Sequence, residues 1–294
     1  MDRTKILAGL TLAAALGGGC ARRTALVVGS KNFTEQAILG EIAAQQLERR
    51  LGVKVTRKLD LGGTLLAHEA LVAGQIDLYP EYTGTALSAV LKLAVPSDRK
   101  AVFGTVAEAY RSRWKLDWMK PLGFDDTFAM VIRGADARAG GIATLSQAAK
   151  RREAWKLGVG YEFLQRPDGL PGLEKKYGLP VKGLPRMMDL GLLYQALMAK
   201  EVDMVAGNST DGPLSALDVV VLTDDLGYFP PYEAAFVVRE DSLSRDSRIR
   251  AALEELSGTL TSEAMRALNH EVAGKHRRAA DAAREFLETV GPRS

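Results

Sequence analysis

Residues 25–50 read ALVVGSKNFTEQAILGEIAAQQLERR. The apolar run Ala25–Gly29 gives way to a polar turn, and then Ile38, Leu39, Ile42, Ala43 and Leu47 recur at helical spacing. A change of period from strand to helix over so few residues predicts a strand at Ala25–Gly29 and a helix at Glu35–Arg50. The alternation continues outward. Further strands are expected at Val53–Leu59, Ile76–Tyr79, Phe128–Arg133, Leu157–Gly160, Met204–Ala206, Val219–Thr223 and Ala234–Arg239, with helices at Leu65–Ala73, Asp98–Arg113, Leu145–Trp155 and Gly191–Lys200. Thr144 followed by Gln147 reads as a capping box. Such alternation implies an α/β fold with mostly parallel sheets. From Ser262 to Val290 the chain reads as helix only. The Pro- and Gly-bearing segments Lys120–Gly123 and Gly227–Pro231 are candidate crossings between two lobes, one out and one back, which makes the first lobe discontinuous.

Composition narrows the function. The 294 residues are 47% hydrophobic and 26% charged, which describes a globular chain and excludes disorder as its main character. Lys and Arg total 39 against 36 Asp and Glu, and the two signs are interspersed, so no basic stripe points to nucleic acid. A single cysteine, Cys20, excludes an intrachain disulfide and a cysteine-based zinc site. The three histidines are scattered and lack metal-ligand spacing. Nucleophile elbow, P-loop and dinucleotide fingerprint are all missing. Glu35 and Glu81 are the nearest acid–base candidates, and no nucleophile or acid–base pair stands out, so no enzyme is expected and no cofactor is implied.

Arg3 and Lys5 precede an apolar run from Ile6 to Leu16, then Gly17, Gly18, Gly19 and Cys20. A basic start, a short apolar stretch and small residues describe an export signal over residues 1–19. A cysteine at its end resembles a bacterial lipoprotein signal, with Gly17 in the place that usually carries leucine. The expected mature chain starts at a lipidated Cys20, is exported to the periplasm or cell surface, and has a formal charge of +2.

Three loops at strand ends stand out, each readable from its residue types as a plain turn or as a place of ligand contact. Gly29–Gln36 and Leu61–Thr64 each follow a strand and open a helix, and helix starts offer free N–H groups that suit an anion. Tyr79-Pro80-Glu81-Tyr82-Thr83-Gly84-Thr85 supplies aromatic and hydroxyl groups. Tyr79 ends an apolar run and is expected in the core, whereas Tyr82 is expected in the loop beyond the strand.

Ser30–Gln36, Leu61–Thr64 and Tyr79–Thr85, together with Gly123–Phe128, Glu162-Phe163, Arg166, Asp168-Gly169, Thr210–Gly212, Phe229–Tyr232 and Met265–Asn269, closely resemble the substrate-binding proteins of ABC transporters for glycine betaine, choline, carnitine and related osmoprotectants. The resemblance spans the mature chain. It implies a two-lobe periplasmic-binding-protein fold of type II with a ligand cleft between lobes: residues 20–126 and 230–294 in the first lobe, 127–229 in the second. It implies a monomer that binds a quaternary amine and delivers it to an ABC permease in the cytoplasmic membrane. Tyr82 and Tyr232 match cage walls around the ammonium; Lys31, Thr85 and Arg166 match the carboxylate side. Phe128 stands where the betaine binders carry tyrosine and keeps a ring face; Asn208 stands where another cage tyrosine is expected and has none. Asp125 and Asp126 replace paired asparagines, in positions that suit capping a turn or solvation. The expected ligand is thus a betaine-like osmolyte held weakly, or a related compound with hydrogen-bonding capacity. Another small amine, an amino-acid-like ligand, or an enzyme on the same fold are the alternatives.

Overall fold

The computed structural model describes residues 25–93 and 98–291; the expected export signal and Cys20 lie outside the described residues. In chain order the strands are β1 (Val27–Gly29), β2 (Thr56–Lys58), β3 (Leu78–Tyr82), β4 (Leu116–Trp118), β5 (Phe128–Arg133), β6 (Leu157–Val159), β7 (Arg186–Met187), β8 (Met204–Asn208), β9 (Val219–Val221) and β10 (Ala234–Arg239). They form two five-stranded sheets, β2-β1-β3-β10-β4 and β7-β6-β8-β5-β9. Four strands of each sheet point the same way. The exceptions, β10 and β5, pair antiparallel with both neighbours. Both have one cause: β5 is the first strand after the chain leaves the first sheet and β10 the first after it returns, so each enters its sheet from the opposite end.

Helix α1 (Thr34–Leu51) shows why the opening stretch folds as it does. Ile38, Leu39, Ile42, Ala43 and Leu47 are all fully buried, each large one worth about 1.5–3 kcal/mol of apolar burial. Gly52, at φ 69°, ends the helix by donating its N–H to the Glu48 carbonyl. The alternation along the strands then sorts the core. Val28, Leu78, Phe236 and Val238 face α1 and the C-terminal helices, whereas Val27, Tyr79, Ala235 and Val237 face α2 (Thr64–Val72) and the helix Arg99–Trp114. In the second sheet Met130, Ile132, Leu157 and Met204 pack with Trp155 and Leu173, while Val131 and Val205 pack with Leu193 and Leu197. Helices on both faces of each sheet make the α/β layers expected.

Some boundaries differ from the sequence reading. Strand β3 runs on to Tyr82, so Tyr82 is a strand residue, paired with Ala234, and not a loop residue. The Thr144–Gln147 capping box is present, but its helix stops at Ala149; buried Trp155 instead pairs with Val181 and donates its indole N–H to the Ala148 carbonyl. Helices Tyr161–Gln165 and Leu170–Tyr177 are unanticipated, because Pro167, Gly169 and Pro171 break up their pattern. No helix among the described residues is long and apolar enough to cross a membrane.

The two crossings lie side by side. Leu122 N–H donates to the Ala234 carbonyl at 2.8 Å, Ala234 N–H to Phe124 at 3.1 Å and Asp126 N–H to Tyr232 at 3.1 Å, with Asp125 and Glu233 as antiparallel partners. Gly123, at φ 116°, sits where a Cβ would fall 2.5 Å from the Leu260 carbonyl oxygen. Gly123→Ala is therefore expected to lower unfolding free energy by about 1–3 kcal/mol, measured by urea denaturation; an unchanged midpoint would show that the crossing can relax.

Candidate functional site

The β1–α1 turn and the loop before α2 are tied together: Leu61 N–H donates to the Ser30 carbonyl and Asn32 N–H to the Gly62 carbonyl, while Asp60 N–H donates to the Ser30 hydroxyl. This places Lys31 beside Thr64 at the start of α2. Lys31 is buried, its ammonium pairs with Glu81 and lies 3.4 Å from Thr64 Oγ1, and it stands 4.9 Å from the Tyr82 ring centre. Glu81 is fully buried, accepts also from the Tyr79 hydroxyl, and so neutralises Lys31 inside the protein. Tyr79 is in the core, as its apolar run implies. Tyr82 stacks at 6.4 Å on Phe33 and donates its hydroxyl to Glu35.

The start of α2 does hold a carboxylate, but the protein supplies it. Glu162, which follows β6 of the second sheet, accepts from Thr64 N–H at 2.6 Å and from the Thr64 hydroxyl at 3.0 Å. The residue Gly63 leaves room for it: a Cβ there would lie 2.8 Å from Glu162 Oε1. Burial works against the Glu162 charge, but Lys31 and Arg166 outweigh it and hold the carboxyl below its usual range.

One helical turn further on, Arg166 joins Glu162 to an aromatic group. Its Nε and Nη2 donate to both oxygens of Asp168, at 3.0 and 2.6 Å, and Nη1 reaches Glu162 at 3.3 Å. The guanidinium carbon lies 4.8 Å from the Phe128 ring centre and 5.8 Å from that of Tyr232. Phe128 contacts Phe163 edge-on at 5.0 Å, with Phe229 and Tyr232 both at 6.1 Å. Tyr232 donates its hydroxyl to Asp168. Burial opposes both charges, yet the pairing wins on each side: Arg166 is raised and Asp168 lowered from their ordinary values. A planar cation on ring faces, gripped edgewise by a carboxylate, is geometry that guanidinium chemistry favours.

Asn208 pairs directly with Phe128 across β8 and β5, which puts both side chains on one face. Its N–H goes to Asp211, and its side-chain amide has no hydrogen-bond partner among the described residues. Thr85 is buried at the end of the turn after β3. That turn presses against the returning crossing at Gly84, where a Cβ would lie 2.7 Å from both the Pro231 oxygen and Tyr232 Cδ1.

The sequence profile described as the substrate binding domain of ABC-type glycine betaine transport systems matches residues 24–289. The chain belongs to that family. It is 34% identical over 267 residues to the ergothioneine transport permease/ergothioneine binding protein EgtU of Helicobacter pylori, covering 90% of this chain and 48% of the relative; the chain thus spans about half of that protein's length. Over 288 residues it is 34% identical to a glycine-betaine-binding protein of Pseudomonas aeruginosa, covering 95% of this chain and 92% of the other. A crystal structure titled glycine betaine/carnitine/choline ABC transporter superimposes with a TM-score of 0.76 at 29% identity, covering 90% of this chain and 98% of that one.

Within this betaine-transport binding domain, six of the seven positions expected to bind fall into two groups, and Thr85 is buried apart from both. Lys31 and Tyr82 meet in the first lobe; Phe128, Arg166 and Tyr232 meet around one guanidinium, with Asn208 beside Phe128. Among the described residues no ring contact joins Tyr82 to Phe128 or Tyr232; Glu162 links the groups through Thr64 and Arg166. Glu162 and Asp168 were part of the family resemblance but not of the expected site. Their signal was charge, since Glu162 and Arg166 stand one helical turn apart. Asp168→Ala, which strands the Arg166 charge in a largely enclosed place, is expected to cost about 3–5 kcal/mol in chemical denaturation at pH 7; a loss within experimental error would show that solvent already answers that charge.

Proposed function

We propose that this protein is an exported solute-binding protein that captures a quaternary amine of the glycine betaine class in the cleft between its lobes and delivers it to an ABC permease, without catalytic turnover. The first lobe comprises residues 20–126 and 230–294, and the second residues 127–229. The observation that carries the reading is the Arg166 guanidinium on the faces of Phe128 and Tyr232: the site accepts a delocalised cation against aromatic carbon. An ammonium with no N–H cannot be held by hydrogen bonds to its head and depends on such faces, at about 0.5–2 kcal/mol for each good contact. Lys31, Thr85 and Arg166 are the positions matched to the ligand's carboxylate, and they answer it from separate places, Lys31 by exchanging Glu81 and Arg166 by turning an edge from Asp168 to the ligand. The names of the relatives support this range: glycine betaine in one, ergothioneine in another.

The unpartnered Asn208 amide sharpens the choice. It offers one acceptor and two donors beside the Phe128 ring, where a fourth aromatic wall would hold only methyl groups. A quaternary amine carrying a further polar group fits this wall better than glycine betaine. Export brings the chain to the periplasm or cell surface, and a lipid on Cys20 keeps it, as a monomer, beside its permease.

Calorimetric titration with glycine betaine, choline, carnitine and ergothioneine tests the reading. The expected order places at least one of the last three above glycine betaine. Phe128→Ala is expected to weaken the best of them by about 2- to 30-fold, the equivalent of one lost cation–ring contact. Absence of binding by all four would overturn the proposal. Mass spectrometry of the exported protein is expected to find an acylated Cys20 at the N-terminus; an unmodified N-terminus beyond Cys20 removes the anchor.

A further inference from the structure

Between the lobes, away from the aromatic group, three carboxyl groups meet without a basic side chain among them. Glu35, at the start of α1, accepts from the Tyr82 hydroxyl at 2.7 Å on one oxygen, and on the other from Thr210 Oγ1 at 2.5 Å and Asn269 Nδ2 at 3.0 Å. Thr210 follows β8 of the second sheet, and its carbonyl also accepts from Asn269 Nδ2 at 2.8 Å, so the contact joins the layers of the two sheets. The same Thr210 hydroxyl lies 2.7 Å from Asp126 Oδ1, in the outgoing crossing. Asp211 follows, accepting from Tyr194 and from Asn208 N–H. The charged groups around the cluster are turned elsewhere: Arg266 donates to the Ser209 carbonyl, and Asp125 is engaged by Arg99 and Tyr232 N–H. On the C-terminal side the backbone of His270 packs against Gly212.

A threonine hydroxyl carries one hydrogen, so it donates to only one of two carboxyl oxygens at these distances. The other contact requires a proton on the carboxyl itself. Glu35 accepts from Tyr82 and Asn269 whichever way the Thr210 hydroxyl points, whereas among the described residues the Asp126 carboxyl meets only the hydroxyl and the N–H of Thr210, so Glu35 is the better served as a carboxylate. The proton therefore belongs on Asp126, which donates to Thr210, which in turn donates to Glu35.

We propose that Asp126, Thr210 and Glu35 form a proton-carrying latch between the lobes: closing the cleft takes up one proton, and a bound ligand is held more tightly as pH falls. The direction of the titrations agrees. Burial is the leading cause that raises Asp126 well above the ordinary carboxylate range, followed by Glu35 and Asp211, and it pushes Glu35 and Asp211 up to about 6. With the lobes apart, Thr210 leaves and water reaches both carboxyls, which return toward ordinary values. A carboxyl raised in the closed state stabilises that state at low pH, and the benefit is lost as pH rises through the closed-state value. The latch also steers the site, because Glu35 holds the hydroxyl of Tyr82.

The test uses the mature protein and two readouts. Glycine betaine titration in buffers of different ionisation enthalpy at pH 7 is expected to show uptake of about one proton per binding event, with affinity falling by up to about tenfold per pH unit between pH 6 and 8. Asp126→Asn keeps a donor to Thr210 without the proton, so its uptake is expected near zero and its affinity flat with pH. Independently of any ligand, small-angle scattering is expected to show the radius of gyration of the free wild type rising from pH 6 to 8, and that of Asp126→Asn staying constant. No proton uptake by the wild type, equal uptake by the variant, or scattering that does not change with pH in the wild type would each overturn the latch. Failure of glycine betaine to bind at any pH counts against the proposed ligand class, and scattering then decides the latch alone.

Discussion

An arginine removed from water is tolerated only where its charge is answered on every side, and the arrangement of the cleft follows from meeting that condition at Arg166. Asp168 takes two of its N–H groups and Glu162 a third. The ring faces of Phe128 and Tyr232 cover its plane. Glu162 in turn reaches the start of α2, and Asp168 accepts from Tyr232. The two lobes are thus joined through one cation, with apolar, anionic and helix-terminus contacts each matched to a different part of it. The same condition holds at Lys31, where Glu81 cancels the charge before any ligand is considered. A zwitterion entering such a cleft exchanges partners more than it adds charge, which favours discrimination by shape and hydrogen bonding over simple attraction.

Local pattern made much of the scaffold legible. Helix α1 and the strands Phe128–Arg133 and Ala234–Arg239 are long, unbroken and strongly periodic, and they fold where their period puts them. Reading failed where the deciding partner is distant. Pro80 and Glu81 look like loop residues, yet β3 continues through them, since Ala234 pairs with Tyr82 and Lys31 neutralises Glu81 from 50 residues away. Asp126 suited a turn or solvent by its type; it is buried, because Thr210, 84 positions later, meets it. Asp125, its neighbour, does fix the crossing, accepting from Tyr232 N–H. The residue types of the site were visible in the motifs, but which carboxylate answers which cation depends on lobe placement, and no local window contains that.

The aromatic substitution at Phe128 and the polar one at Asn208 also become intelligible as a pair. They face each other in register at the end of β5 and β8. A phenyl ring without a hydroxyl leaves the neighbouring space uncommitted, and an amide without an internal partner occupies it. A dry position and a wet one therefore stand side by side within a single strand pair. Selectivity built on such a boundary penalises ligands that leave the amide unpaired as much as it rewards those that satisfy it.

Strand β10 occupies an interior place in the first sheet, between β3 and β4, yet it is the last strand to be made. During synthesis β1 to β4 emerge without the ribbon that joins β3 to β4, while every strand of the second sheet is available before residue 222. The second lobe can therefore assemble first, and the first lobe stays incomplete until the chain is nearly finished. If the chain is exported as proposed, an order of assembly that withholds a central strand keeps half of the molecule in a threadable state before it passes the membrane.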